Sequence, residues 1–113
     1  MIEKDIQEQI KKDAKDKGFF VYRPNDRITS GVPDLFLGKE TGEGMWIEVK
    51  YHDSDYLDSV TLSHPLSAPQ SLFLRKVGGI VVIGFNDGSY GYSEDIKPGE
   101  NRVFEGLKKG LKY

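Results

Sequence analysis

Three residues in this sequence have types and spacing suited to chemistry: Asp34, Glu48 and Lys50. They lie in "VPD" (32–34) and "WIEVK" (46–50), on either side of the turn-rich stretch "GKETGEG" (38–44). A hairpin turning near Thr41 sets Asp34 directly opposite Glu48, with Cβ atoms roughly 5 Å apart. Side chains alternate along a strand, so Trp46, Glu48 and Lys50 share one face while Met45, Ile47 and Val49 share the other. Two carboxylates facing each other in a partly buried site repel and lose hydration, and either a shared proton or a divalent cation relieves them. Mg²⁺ takes oxygen ligands, usually one or two carboxylates completed by waters and phosphates. An ammonium beside such an ion suits a phosphodiester, whose charge grows as water attacks it. The ordinary alternative is an exposed hairpin with a cross-strand Glu–Lys pattern. Carboxylates directly opposite each other are unfavourable in such a hairpin.

The elements that must position these groups can be read along the chain. Ile2, Ile6, Ile10 and Ala14 recur every four residues among charged neighbours and predict a helix over 2–17, ended by Gly18. "FFVYR" (19–23) reads as a strand and "PNDRITSGVP" (24–33) as a loop. Strands are expected over 34–37 and 45–51, with a polar excursion over 51–66. A second helix is predicted over 67–79, with Ser67 as N-cap, Pro69 in the first turn and Gly78–Gly79 as the stop. "IVVIGF" (80–85) reads as a buried strand, and "NDG" (86–88) turns the chain into "SYGYS". The tail after Pro98 is expected to form a short helix, with Val103, Phe104, Leu107 and Leu111 apolar and Lys108, Lys109 and Lys112 basic. The order α-β-β-β-α-β-β predicts an α/β (α+β) fold, a mixed sheet flanked by helices.

The 113 residues suit a single domain, with a motif-bearing core over 3–92 and a tail over 93–113. Sixteen basic and eighteen acidic residues give a net charge of −2, which excludes a generic basic DNA-coating protein but not a nucleic-acid enzyme with acidic metal ligands. The absence of cysteine excludes disulfides and thiolate zinc sites. The charged start MIEKDIQEQIKKD lacks a signal peptide's apolar core, and no apolar run approaches a membrane span. A soluble, cytoplasmic protein of a bacterial or phage-infected cell is expected, with no membrane partner.

"VPD", followed fourteen residues after its Asp by "IEVK", resembles the PD-(D/E)XK nuclease signature. With "EKDIQ" (3–7), "GVPDLFL", "WIEVK" and "LSAPQSLFL" before "GG", the chain is similar to the VRR-NUC subgroup of that superfamily, in its small stand-alone phage and bacterial, Holliday-junction-resolvase-like form. The resemblance covers residues 3 to about 85. It implies a restriction-endonuclease-like core in αβββαβ order, which agrees with the element order read above. It also implies that Asp34 and Glu48 ligate a catalytic Mg²⁺ or Mn²⁺, with the backbone carbonyl of Val49 as a further ligand and Lys50 orienting or activating the attacking water. Glu3 matches the family's helical carboxylate, which completes the metal site, and Gln70 matches a glutamine beside it. Gln7, one turn from Glu3, is a further candidate.

Each of these residues has a structural alternative. Acidic residues such as Glu3 favour a helix's first turn through its dipole. Ser67 and Gln70 fit a capping box that needs no function. His52 and His64 sit in a polar excursion where solvated histidines are common, and Trp46 suits packing under a helix. Arg27, Ser30 and Lys39 are candidate DNA contacts. The Lys108–Lys112 cluster reads most simply as a solvated face, with Phe104, Leu107 and Leu111 available for a dimer contact.

The expected activity is metal-dependent hydrolysis of DNA phosphodiesters, selective for branched DNA such as four-way junctions, because the chain has no evident sequence-reading element. Symmetric cuts on two strands call for two sites, hence a homodimer. The alternatives are a nuclease acting on flaps or single strands, and a nuclease-like module that binds DNA without cutting it.

Overall fold

The structure, a computed structural model, describes residues 3–24, 31–62, 66–93, 102–104 and 108–109. Helix α1 spans Glu3–Asp16 and buries Ile6, Ile10 and Ala14, the four-residue stripe of the sequence. Gly18, at φ 87°, ends it, and Phe19 N–H returns to the Ala14 carbonyl at 3.0 Å. The strands that follow are β1 (Phe20–Tyr22), β2 (Leu35–Gly38), β3 (Gly44–Tyr51) and β4 (Val60–Leu62). Then come α2 (Ala68–Val77), β5 (Ile80–Gly84), β6 (Tyr90–Ser93), β7 (Arg102–Phe104) and β8 (Lys108–Lys109).

Among the described residues, six strands form one mixed sheet in the order β1-β2-β3-β5-β6-β8, in which only the central β3–β5 pair is parallel. A parallel pair needs a crossover, and β4 with α2 supplies it between β3 and β5. The β2–β3 register pairs Leu35 with Ile47 and Phe36 with Trp46, as a turn near Thr41 requires. On one face of the sheet, Ile6, Ile10 and Ala14 of α1 pack with Leu35, Leu37, Ile47, Val49, Ile80 and Val82. On the other, Leu74 of α2 packs with Val60, Leu66, Val81, Ile83 and Phe85. Gly84 fixes the depth of α1, since a Cβ there would overlap the Ile6 side chain.

Two parts of the chain differ from the sequence expectation. The excursion after β3 contains strand β4, and the tail forms strands β7 and β8, where a short helix was expected. Strand β7 pairs with β4, and β8 extends the main sheet beside β6. Val103 and Phe104 favour strands, and Gly106 and Gly110 weaken a helix through this segment. Lys108 and Lys109 therefore belong to a sheet strand rather than a helix face. Leu107, Leu111 and Lys112 lie outside the described residues.

Candidate metal and phosphodiester site

The site forms where β2 and β3 part. Their backbone ladder ends at the Leu35–Ile47 pair. One residue earlier, Asp34 has left the strand, and its Oδ2 accepts the Val49 N–H at 2.8 Å. A carboxylate oxygen thus fills the place of the next ladder carbonyl. Within a strand, a residue's N–H and C=O point to the same side, so the Val49 carbonyl also faces the Asp34 end of β2.

The approach to Asp34 is tightly constrained. Pro33 is fully buried. Gly31 has φ 82°, and a Cβ on it would overlap the backbone carbonyl of Pro69 in the first turn of α2. Only glycine meets both conditions, because positive φ and a missing side chain are its particular properties.

Glu48 lies on the α2 face of β3 and is 4% exposed. Burial pushes its carboxyl up to about 9, reinforced by the charge of Asp34 and by a hydrogen bond with the Asp34 carboxyl. The Lys50 ammonium opposes this shift, and the Glu3 charge adds to it. Asp34, Lys50 and Glu3 therefore all act on the Glu48 carboxyl, from the chain leading into β2, from β3 and from α1. Glu3 is solvent-exposed in the first turn of α1. Burial and the neighbouring carboxylate thus favour the protonated form of Glu48, hydrogen-bonded to Asp34.

Two carboxylates, one of them buried at the cost of its own ionisation, make a donor set suited to a hard divalent cation completed by water and phosphate oxygens. Among the described residues no three acidic or histidine side chains converge into a closed cage. The site is an open pair, with Glu3 farther out.

Other expected residues fall elsewhere. Gln70 is engaged in the capping box: its Oε1 accepts the Ser67 N–H at 2.9 Å, and its own N–H donates to Ser67 Oγ at 3.3 Å. Its helix turn abuts Gly31, so Gln70 neighbours the approach to Asp34 while its side chain caps α2. Lys39 stands at the turn end of the β2–β3 hairpin, away from Asp34, with its ammonium 4.6 Å from the Phe19 ring centroid. Arg27, Ser30 and His64 lie outside the described residues. Trp46 packs edge-on against Phe73 of α2, with ring centroids 5.7 Å apart. His52 is half-buried, with its ring edge-on to Phe85, and its backbone N–H donates to the Gly84 carbonyl at 2.9 Å.

Sequence reasoning missed the anchorage of the chain just past Lys50. Asn86 Nδ2 donates to Asp53 Oδ1 at 2.6 Å, Tyr51 Oη donates to Asn86 Oδ1, and Asn86 N–H donates to the Ser54 carbonyl at 2.8 Å. These bonds tie the end of β3 to the β5–β6 turn. The "NDG" turn was legible as a turn, but its partner thirty-three residues upstream carried no local signal.

No family model matches the sequence, and no curated protein matches it. Among solved structures, the fold is similar to that of Hjc, a Holliday junction resolvase from the archaeal hyperthermophile Archaeoglobus fulgidus. The TM-score is 0.60 at 17% identity, covering 90% of this chain and 80% of that one. The likeness establishes a shared resolvase-like α+β fold.

Proposed function

We propose that this chain is a divalent-metal-dependent DNA endonuclease of the PD-(D/E)XK type, acting on branched DNA such as four-way junctions. The buried Glu48 carboxyl, hydrogen-bonded to Asp34 and within electrostatic reach of Lys50, supports this reading, because two carboxyls and one ammonium then act on one another. The fold shared with a Holliday junction resolvase supports a branched substrate. The VRR-NUC signature in the sequence supports the same class of chemistry.

Asp34 and Glu48 would hold Mg²⁺ or Mn²⁺, with the Val49 carbonyl beside them and Glu3 acting through water. When bound, the ion supplies Lewis-acid polarisation of the phosphate and a lowered pKa for water. The protein groups do the rest. Val49 N–H fixes the Asp34 carboxylate. The Lys50 ammonium orients the attacking water and stabilises charge on the phosphorane. Water attacks phosphorus in line and the 3′-oxygen leaves, giving 5′-phosphate and 3′-hydroxyl ends. Paired cuts on two strands would require two copies, arranged as a C2 dimer.

The test is incubation of the purified full chain with Mn²⁺ and nicked, linear, flap and four-way substrates, with cut positions mapped on every strand. Symmetric cuts near the branch of the four-way substrate support the proposal. Preference for flaps or single strands replaces the substrate class. Intact substrates throughout refute the enzyme.

A further inference from the structure

Helix α1 carries a row of cations that the site does not use. At 100° per residue, Lys4, Glu8, Lys11 and Lys15 fall within about 60° of arc. The row faces away from the buried Ile6, Ile10 and Ala14. Arg23, just past β1, joins it through an ion pair with Glu8 Oε1 at 2.7 Å. Arg23, Lys11 and Lys4 all act on the Glu8 carboxyl and hold it below its usual range. Three cations thus surround one carboxylate, and Lys15 extends the row beyond it, on a chain whose net charge is −2.

Lys15 in the last turn suits the helix, but the Lys4 end of the row does not. Lys4 lies in the first turn, where the dipole disfavours a cation, and Lys4–Glu8 has the less favourable i,i+4 order. The row also has a direction. Ile6, two residues past Lys4, packs on Gly84, which pairs with Tyr51 next to Lys50, so this end adjoins the candidate site. The other end runs toward Phe19, over which Lys39 places its ammonium. From Lys4 to Lys15 the row spans about 16 Å, the length of roughly five phosphate steps along one DNA strand.

We infer that the Lys4–Lys11–Lys15 face of α1, with Arg23 beside it, is a phosphate-backbone track that seats one arm of the DNA substrate leading into the Asp34–Glu48–Lys50 site. The inference rests on the nuclease reading and adds the surface that holds the substrate. Glu8 is the one carboxylate in the row and weakens the track's charge.

The experiment is fluorescence anisotropy of a labelled four-way junction with the full chain in metal-free buffer, over a series of salt concentrations. Lys11→Glu/Lys15→Glu is expected to weaken binding at least ten-fold at 0.1 M salt. It should also lower the slope of log K against log salt by about two. Glu8→Gln should tighten binding a few-fold, an effect opposite to that of losing a merely structural ion pair. Lys76→Glu, on α2 across the sheet, makes a single charge reversal off the row and should weaken binding much less. Circular dichroism checks that each variant is folded. Wild-type affinity and slope in the double variant, or weaker binding by Glu8→Gln, overturns the track. If the wild type cleaves with Mn²⁺ while those results hold, the track alone fails. If the wild type neither binds nor cleaves DNA, the nuclease reading fails with it.

Discussion

Asp34 accepts a hydrogen bond from the Val49 backbone at 2.8 Å, so a residue proposed to hold a cation also completes the β2–β3 ladder. The two roles separate by substitution. Asp34→Asn keeps an oxygen for the Val49 N–H and removes the negative charge beside Glu48. It should abolish cleavage while melting, without metal, no lower than the wild type. Asp34→Ala leaves a part-buried N–H without that partner and should cost about 1–3 kcal/mol. Metal-free thermal melts of the two variants check this, and equal, strong destabilisation by both would contradict the paired-carboxylate picture.

Glu48 sets a pH dependence. Its folded value of about 9 lies above its ordinary 4.5, so the native state holds a proton that the unfolded chain releases. The stability it contributes is therefore fully present below pH 4.5 and is lost as pH rises toward 9. Denaturant melts of the metal-free protein should show this decline, and Glu48→Gln should flatten it. A cation must displace the same proton. Mn²⁺ should thus bind more tightly as pH rises, with an enthalpy that depends on the buffer's ionisation heat.

Lys50→Ala should lower the single-turnover cleavage rate by about 10²–10⁴-fold. Calorimetry should show Mn²⁺ affinity within a few-fold of wild type, because the ammonium acts on the substrate and is not a ligand. A large loss of Mn²⁺ binding would instead make Lys50 a support for the carboxylates.

Gly31→Ala should disturb the site from outside it. A Cβ there meets Pro69, and φ 82° strains any other residue. The chain leading to Asp34 must then lift from α2. Both a lower melting temperature and a lower cleavage rate are expected, whereas Gly18→Ala meets open space and should lose stability alone.

Ser67→Ala removes one half of the α2 capping box and should cost about 1 kcal/mol, or roughly 3–6 °C in Tm. Gln70→Ala removes the other half. If Gln70 only caps, the two variants lose similar stability and neither loses rate. A rate loss confined to Gln70→Ala assigns its carboxamide to the site.

Much of this arrangement was legible because it follows short-range rules. One turn near Thr41 fixes the whole β2–β3 register, which sets Asp34 beside Glu48. The four-residue stripe of α1 and the Ser67–Gln70 cap are likewise local. What escaped depended on distant partners. Strand β4 is three residues long and pairs with β7, forty residues on, so neither stands out alone. The bond from Val49 to Asp34 needed the strands to separate at that point, which alternation does not reveal. The Lys4–Lys11–Lys15 row follows from helical spacing but went unread among the helix's other charges, and Arg23 joins it only through the fold.

The β2–β3 turn offers a practical handle. Gly42 lies at the exposed end of the hairpin, at φ 91°, with nothing within 4 Å of where a side chain would begin. That end is remote from Asp34, and the pairing between Gly38 and Gly44 closes the ladder below it. Any side chain at Gly42 itself is strained at that φ, so a cysteine for a dye belongs at the exposed Thr41 beside it, where it can report on substrate capture without touching the groups that cut.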